Sequence, residues 1–241
     1  MQDLYSEKPG SAVVKIVKTT PGISREKLFS FRKCYIGISL DNPVFYNRSL
    51  LAILSWSTAM FEQSLIVLGD YLRRYNEYIF NGLKEPDAQR ASYQEGEEYL
   101  SKTKEIFDRF SEPALVMTRW NDCLHMKEFE QSKQILDNLY STDDSFRASV
   151  QRDAFAFIKR QKKQNKKLAV TMEEAIAISS QYLLEEIAVF SALSEQGWNV
   201  ELYPGPELAV LVDIAKGSYS NVPAGLKKRI NVELRIGRTD R

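Results

Sequence analysis

The chain has 241 residues, 44% apolar, 11% aromatic and 27% charged, with 33 Lys and Arg against 32 Asp and Glu and a single histidine. That apolar share is enough for a core and excludes a mostly disordered chain. No run approaches 18 uncharged apolar residues, so no membrane span is expected. The start, Met1-Gln2-Asp3-Leu4-Tyr5-Ser6-Glu7, lacks the basic and apolar stretches of a secretory signal, and Cys34 and Cys123 make no disulfide framework. A reducing, cytoplasmic setting is the expectation.

In chain order, Ala12–Lys18 and Cys34–Leu40 read as strands, the first rich in Val and Ile, the second apolar with one glycine. Leu50–Glu62 reads as a helix and Ser64–Leu68 as a buried strand closed by Gly69-Asp70. Tyr71–Phe80, Tyr99–Phe110 and Ser145–Lys167 read as helices, the last with Val150, Ala154, Phe157 and Ile158 on one face. Thr171–Gln196 opens on Thr171 with Glu174 three residues on and stops at Gly197; Asn199–Tyr203 is a short strand ending in Pro204-Gly205. Strands alternating with helices predict an α/β fold with a parallel sheet and helices on both faces. Neither a repeat nor a long linker divides the chain, so one domain is expected.

The net charge is +1, but its distribution is lopsided. Acids dominate between Glu77 and Glu112. Lys159, Arg160, Lys162, Lys163, Lys166 and Lys167 follow one another without an acid, and the tail adds Lys227, Lys228, Arg229, Arg235, Arg238 and Arg241. On a continuous helix Lys159, Lys162, Lys163 and Lys166 make a stripe at i, i+3, i+4, i+7. Such a stripe is either a solvated face or a contact for a nucleic-acid backbone.

His125 alone excludes a two-histidine zinc site, and it would have to be the base of any Ser-His-Asp triad. Chemistry must then rest on hydroxyls and carboxylates. In an open parallel sheet reacting groups gather at the carboxyl ends of strands, which here carry Ser39 and Asn42, Asp70, and Tyr203. Alternation along the second strand puts Tyr35, Gly37 and Ser39 on one face. Gly37 either serves helix–sheet packing or clears space beside a group on Ser39. Tyr182 and Glu186, four apart, share a helix face; together they suit an amine, or they are an ordinary boundary pair. Glu185 is expected to point away into solvent.

Taken in order, these features resemble the cyclodipeptide synthases, which join the amino acids of two aminoacyl-tRNAs into a 2,5-diketopiperazine. The residues that carry the resemblance are Tyr35-Ile36-Gly37-Ile38-Ser39-Leu40-Asp41-Asn42, then Tyr182-Leu183-Leu184-Glu185-Glu186, then Tyr203. It covers residues 1–241 as a single domain. It implies a Rossmann-like fold similar to the catalytic domain of class I tyrosyl- and tryptophanyl-tRNA synthetases. Without His-x-Gly-His or Lys-Met-Ser-Lys-Ser patterns, ATP-dependent activation is not expected, and no cofactor or metal is implied.

On that resemblance Ser39 is the nucleophile of a ping-pong reaction, Tyr182 and Glu186 hold the α-amine, Tyr203 relays protons and Asn42 supports the site. Tyr35, Gly37, Ile66, Val67 and Leu68 are expected to line the first side-chain pocket and to favour a small or apolar residue. Tyr203-Pro204 is similar to the subgroup carrying Tyr-Pro, whereas Asn42 is what the other subgroup carries; the Tyr-Pro subgroup is the expectation. The family's basic tRNA-contacting helix falls earlier, yet Gln89–Phe110 is mixed and acidic here, so Lys159–Lys167 is expected to meet the tRNA instead. The expected partners are two aminoacyl-tRNAs, with no DNA and no membrane, and the expected state is a monomer. A non-catalytic tRNA-binding protein is the rival. A serine esterase fits worse, because no x-Gly follows Gly37-Ile38-Ser39 as a nucleophile elbow requires.

Overall fold

The computed structural model describes residues 12–238; Met1–Glu7 and Arg241, which figured in the reading of leader and charge, lie outside the described residues. One sheet runs in the order β1-β6-β5-β2-β3-β4, with β1 Ala12–Thr20, β2 Lys33–Ile38, β3 Gln63–Leu68, β4 Leu115–Arg119, β5 Val200–Tyr203 and β6 Ile230–Arg238. From β6 to β4 all neighbours are parallel, whereas β1 lies antiparallel on β6. The expected parallel sheet is present over the five strands from β6 to β4, and the antiparallel β1 makes the whole sheet mixed. The reason is topological: β1 sits beside the last strand, at an edge, and no crossover connection fixes its direction there.

The helices are α1 Arg25–Phe29, α2 Asn47–Met60, α3 Arg74–Asn76, α4 Asp87–Phe107, α5 Trp120–Leu124, α6 Lys127–Thr142, α7 Asp144–Lys163, α8 Met172–Glu195 and α9 Ala209–Ala215. Side chains alternate across the central strands, so each face has its own core. Cys34, Ile36, Ile38, Ile66 and Leu68 pack with Leu50, Ile53 and Leu54 of α2 and Tyr99 of α4. Tyr35, Leu65 and Val67 pack on the other face, against apolar residues of α6, α7 and α8.

The axis of that second layer is α8. Its start is the capping box read from sequence: the Glu174 amide donates to Thr171 Oγ1 at 3.2 Å, and the Thr171 amide donates to Glu174 Oε2 at 2.9 Å. It ends before Gly197, which takes the left-handed φ of +87°. Between Leu183 and Ser194 every residue except Glu186 is buried, as expected of a helix apolar on all sides. Its length and composition would suffice to cross a membrane, but 67% of its most apolar window is covered by protein.

Two predicted helices differ in detail. Tyr71–Phe80 is a 3₁₀ turn (Tyr71–Arg73), the single turn α3 and a π-turn (Glu77–Asn81) in succession, ending at Gly82 with φ +64°. Arg74 and Glu77 are drawn inward along it, and changes of helical pitch of this kind accompany such local demands. Helix α4 begins twelve residues before the predicted Tyr99. Its buried stripe is Ala88, Ser92, Gly96, Tyr99 and Thr103, too small and polar to stand out as an apolar period. Gly96 is required there, since a Cβ would lie 2.7 Å from that of Asp70. Helices α1, α5, α6 and α9 and strands β4 and β6 were not anticipated, although Ile230, Val232, Leu234 and Ile236 alternate with Asn231, Glu233 and Arg235 along β6.

Candidate active site

The carboxyl ends of β2 and β5 open onto a cavity of about 420 Å³, bounded by α8 and the end of α7, and Ser39, Asn42, Tyr182, Glu186 and Tyr203 all line it. Ser39 follows β2 directly, and its carbonyl accepts the Asn42 amide at 3.0 Å. Asn42 caps the turn Pro43–Phe45, its Oδ1 accepting from the Val44 amide at 3.1 Å. Tyr182 stacks on Phe157 of α7 at 6.4 Å and meets Tyr75 edge-on at 6.1 Å. One turn further along α8, Glu186 lines the same cavity as Tyr182.

Burial, and then the charge of Glu201, push the Glu186 carboxyl up to about 8; Arg229 and Tyr182 pull it the other way. Tyr182 is raised well above the ordinary phenol range by burial first and Glu186 second, and Tyr203 is raised by the same two causes. Both hydroxyls therefore stay protonated and can donate.

The deep end of the cavity is ionic. The Tyr35 hydroxyl donates to Glu201 Oε2 at 3.1 Å, and Arg229 Nε donates to the same oxygen at 2.7 Å. Arg229 Nη1 reaches Glu207 Oε1 at 2.5 Å. Glu201, Arg229 and Glu207 line the cavity, and apolar walls come from Leu72, Trp120, Phe190 and Leu211.

Several expected positions fall elsewhere. Tyr35 lies beneath the cavity, fully buried, as a partner of Glu201. Ile66 and Leu68 belong to the opposite core, because side chains one apart on a strand face opposite ways; of the β3 residues only Val67 reaches the cavity. The expected apolar lining is corrected accordingly. Gly37 opens onto empty space, a Cβ there meeting nothing within 4 Å, so it clears room and serves no tight packing contact. Asp70 is fully buried, capping Tyr71 at 2.7 Å and pairing with Arg119 Nη2 at 2.5 Å, and does not line the cavity.

Glu185 is the clearest correction. Expected in solvent, it is 4% exposed and accepts from Arg74 Nη1 at 3.0 Å, Trp120 Nε1 at 2.9 Å and Tyr75 Oη at 2.9 Å. The basic stripe is also shorter than its spacing implied. Helix α7 stops at Lys163, and Asn165 turns with φ +64°, so Lys166 and Lys167 leave the helical face. Lys159, Arg160, Lys162, Lys163 and Lys167 are exposed; Arg160 reaches the cavity rim, and Lys166 Nζ lies 3.4 Å from Asp41 Oδ2. Lys166 and Lys167 line an adjoining recess of about 290 Å³ with Arg73 and Asn76. His125 is exposed at the end of α5, away from Ser39. Among the described residues no three His, Cys, Asp or Glu side chains gather to hold a metal ion.

A mixed sheet with helices on both faces, and a cavity at the carboxyl ends of its central strands, defines the class as an α/β, Rossmann-like domain. The family model described as cyclodipeptide synthase matches residues 23–195, and the chain belongs to that family. A cyclodipeptide synthase structure from Fluoribacter dumoffii is similar with a TM-score of 0.78 at 21% identity, over 95% of this chain and 99% of that one. A Mycobacterium tuberculosis structure, described as relating cyclodipeptide synthetases to type I tRNA synthetases, gives 0.71 at 12% identity over 96% of both chains. A cyclodipeptide synthase from Candidatus Glomeribacter gigasporarum bound to Phe-tRNA gives 0.60 at 15%, over 87% of this chain and 89% of that one. At these identities the likeness is one of fold. A search of curated proteins returned no match.

Proposed function

We propose that the protein is a cyclodipeptide synthase acting by ping-pong aminoacyl transfer through an ester on Ser39. The observation that carries this reading is the convergence of Ser39, Tyr182, Glu186 and Tyr203 on one cavity from three separate segments of chain. Ser39 Oγ attacks the ester carbonyl of the first aminoacyl-tRNA. The new Oγ–C bond replaces the bond to the terminal ribose oxygen, which leaves with the proton. Tyr182 and Glu186 hold the α-amine of the bound aminoacyl group. The amine of the second aminoacyl-tRNA attacks the Ser39 ester carbonyl, so the amide forms as Ser39 Oγ leaves. Transesterification of that dipeptidyl-tRNA back onto Ser39 frees the second tRNA, and the free amine of the dipeptidyl-enzyme closes the six-membered ring as Oγ leaves again.

Tyr203, kept protonated by burial and the nearby Glu186, is read as passing protons among these groups. With no histidine at Ser39, the driving force lies in the aminoacyl ester itself. The cations Lys159, Arg160, Lys162 and Lys163, with Lys166 and Lys167 at the recess, are read as the tRNA contact; Arg160 at the rim ties that surface to the cavity. Tyr203-Pro204 supports the Tyr-Pro subgroup, and the protein is read as a cytoplasmic monomer.

Expression in a bacterial host is expected to add diketopiperazine masses to the culture medium, read by mass spectrometry. Soluble, folded protein with no new product would favour the non-catalytic tRNA-binding reading.

The pH dependence follows from Glu186. Its carboxyl, at about 8 in the free protein, becomes ionised between about pH 7 and about pH 9, and only the carboxylate supplies a counter-charge to an ammonium. The kcat/KM of Ser39 acylation, which reports the free enzyme, is expected to rise with pH through about 8 and level off above about pH 9. Glu186→Gln is expected to be slower and to lose the rise. A wild-type profile that falls from pH 6 to 8 would remove Glu186 from this role. The stability sign is opposite: a carboxyl raised above its unfolded value binds more protons when folded, so this group's contribution declines as pH climbs from about 4.5 to about 8.

A further inference from the structure

The deep end of the cavity holds more carboxyl groups than cations. Glu186, Glu201 and Glu207 line it with one guanidinium, Arg229. Glu201 and Arg229 satisfy each other, with Tyr35 as the third member. Glu207 shares that same guanidinium through Oε1 alone. Its side chain is 3% exposed, and its Oε2 is buried without a hydrogen-bond partner among the described residues. A buried carboxylate oxygen left unpaired is costly, and Glu207 lines the cavity, so turning this oxygen toward an incoming donor would relieve that cost.

Access to that end is built in. Gly37 leaves open space between Ser39 and the ionic floor, while Phe190 and Leu211 offer apolar surface suited to the methylene stem of a long side chain. If Glu186 serves the α-amine, it is not free to serve a second cation.

We infer that Glu207 selects the first amino acid, favouring a long side chain that ends in a cationic N–H donor, an ammonium or a guanidinium. The inference rests on the proposed acylation of Ser39 and replaces the small or apolar residue expected from sequence. Glu207 acts here as a specificity residue: it touches the side chain, not the reacting carbonyl.

The test uses the full-length purified protein with arginyl-, lysyl- and leucyl-tRNA, following acylation of Ser39 by intact-protein mass. Arginyl or lysyl transfer is expected to outpace leucyl transfer at least tenfold. That ratio is expected to fall tenfold or more in Glu207→Gln, with Glu207→Asp intermediate. A general loss of folded protein scales both rates and leaves their ratio unchanged, so the ratio isolates selection. A wild-type ratio at or below one overturns the inference, as does a ratio that Glu207→Gln leaves unchanged. A variant whose acylation ratio is normal but whose second step is slowed also overturns it, assigning Glu207 to the second α-amine. Acylation by leucyl-tRNA alone sinks the selectivity and keeps the proposed function; no acylation by any aminoacyl-tRNA sinks the function itself.

Discussion

Ser39→Ala is expected to abolish cyclodipeptide formation, by on the order of 10³-fold or more, as loss of a covalent nucleophile does. The chain offers no substitute at that position. Cys34 faces the opposite core and burial pushes its thiol up to about 12, which keeps it protonated; Cys123 is likewise buried and pushed up to about 12. Neither lines the cavity. The fold is expected to survive, because Ser39 is half-buried at the mouth of an open space and alanine removes a single oxygen. Stability is therefore expected to change by less than about 1 kcal/mol, the ordinary range for substitutions outside the core. The measurement pairs diketopiperazine yield with a thermal melt of the same preparation. Full activity in Ser39→Ala would reject the nucleophile. Loss of activity together with a collapsed melt would show only that the fold had failed, and Ser39→Cys would then serve as the folded comparison, expected to retain an acyl adduct as a thioester.

The sequence made the central machinery legible for a physical reason. Strand alternation is rigid, so Tyr35, Gly37 and Ser39 had to share a face; a four-residue step on a helix is equally rigid, so Tyr182 and Glu186 had to be neighbours. A capping box and a following glycine mark helix ends by local chemistry, and α8 begins and ends where they stand. What stayed hidden depends on neighbours distant in sequence. The β3 wall was misread because its register on β2 decides which alternate residue faces the cavity: Val67 lies opposite Gly37, while Ile66 and Leu68 lie opposite Ile36 and Ile38. Glu201, Glu207 and Arg229 gave no sign of convergence, since only parallel pairing of β5 with β2 and β6 brings Glu201 beside Tyr35 and Asn231. The basic stripe was overextended because its charges continue past the helix that carries them.

Arg74→Met is expected to destabilise the protein by roughly 3–5 kcal/mol, the cost of leaving one member of a buried ion pair without its partner. Arg74 and Glu185 are 7% and 4% exposed. Arg74 Nη2 meets Glu185 Oε2 at 2.5 Å, and the guanidinium lies over the rings of Tyr71 at 4.2 Å and Tyr75 at 4.4 Å. With arginine gone, Glu185 keeps only the neutral donors Trp120 and Tyr75. For a chain of this size the loss corresponds to a fall in Tm of roughly 10 °C. Glu185→Gln alone strands the cation instead, and the double variant Arg74→Met with Glu185→Gln is expected to lose less than the two single losses added, because the charges are removed together. Denaturant unfolding of the four proteins measures this coupling; additive losses, or a change below about 1 kcal/mol in Arg74→Met, would reject it. The pair also bears on the cavity. Adjacent residues on a helix point about 100° apart, so fixing Glu185 against Arg74, Tyr75 and Trp120 sets the rotation of α8 that turns Glu186, its least enclosed neighbour, toward Ser39. Weakening the pair is therefore expected to raise the KM of acylation before it lowers stability enough to unfold the chain, an effect visible at temperatures well below the melt.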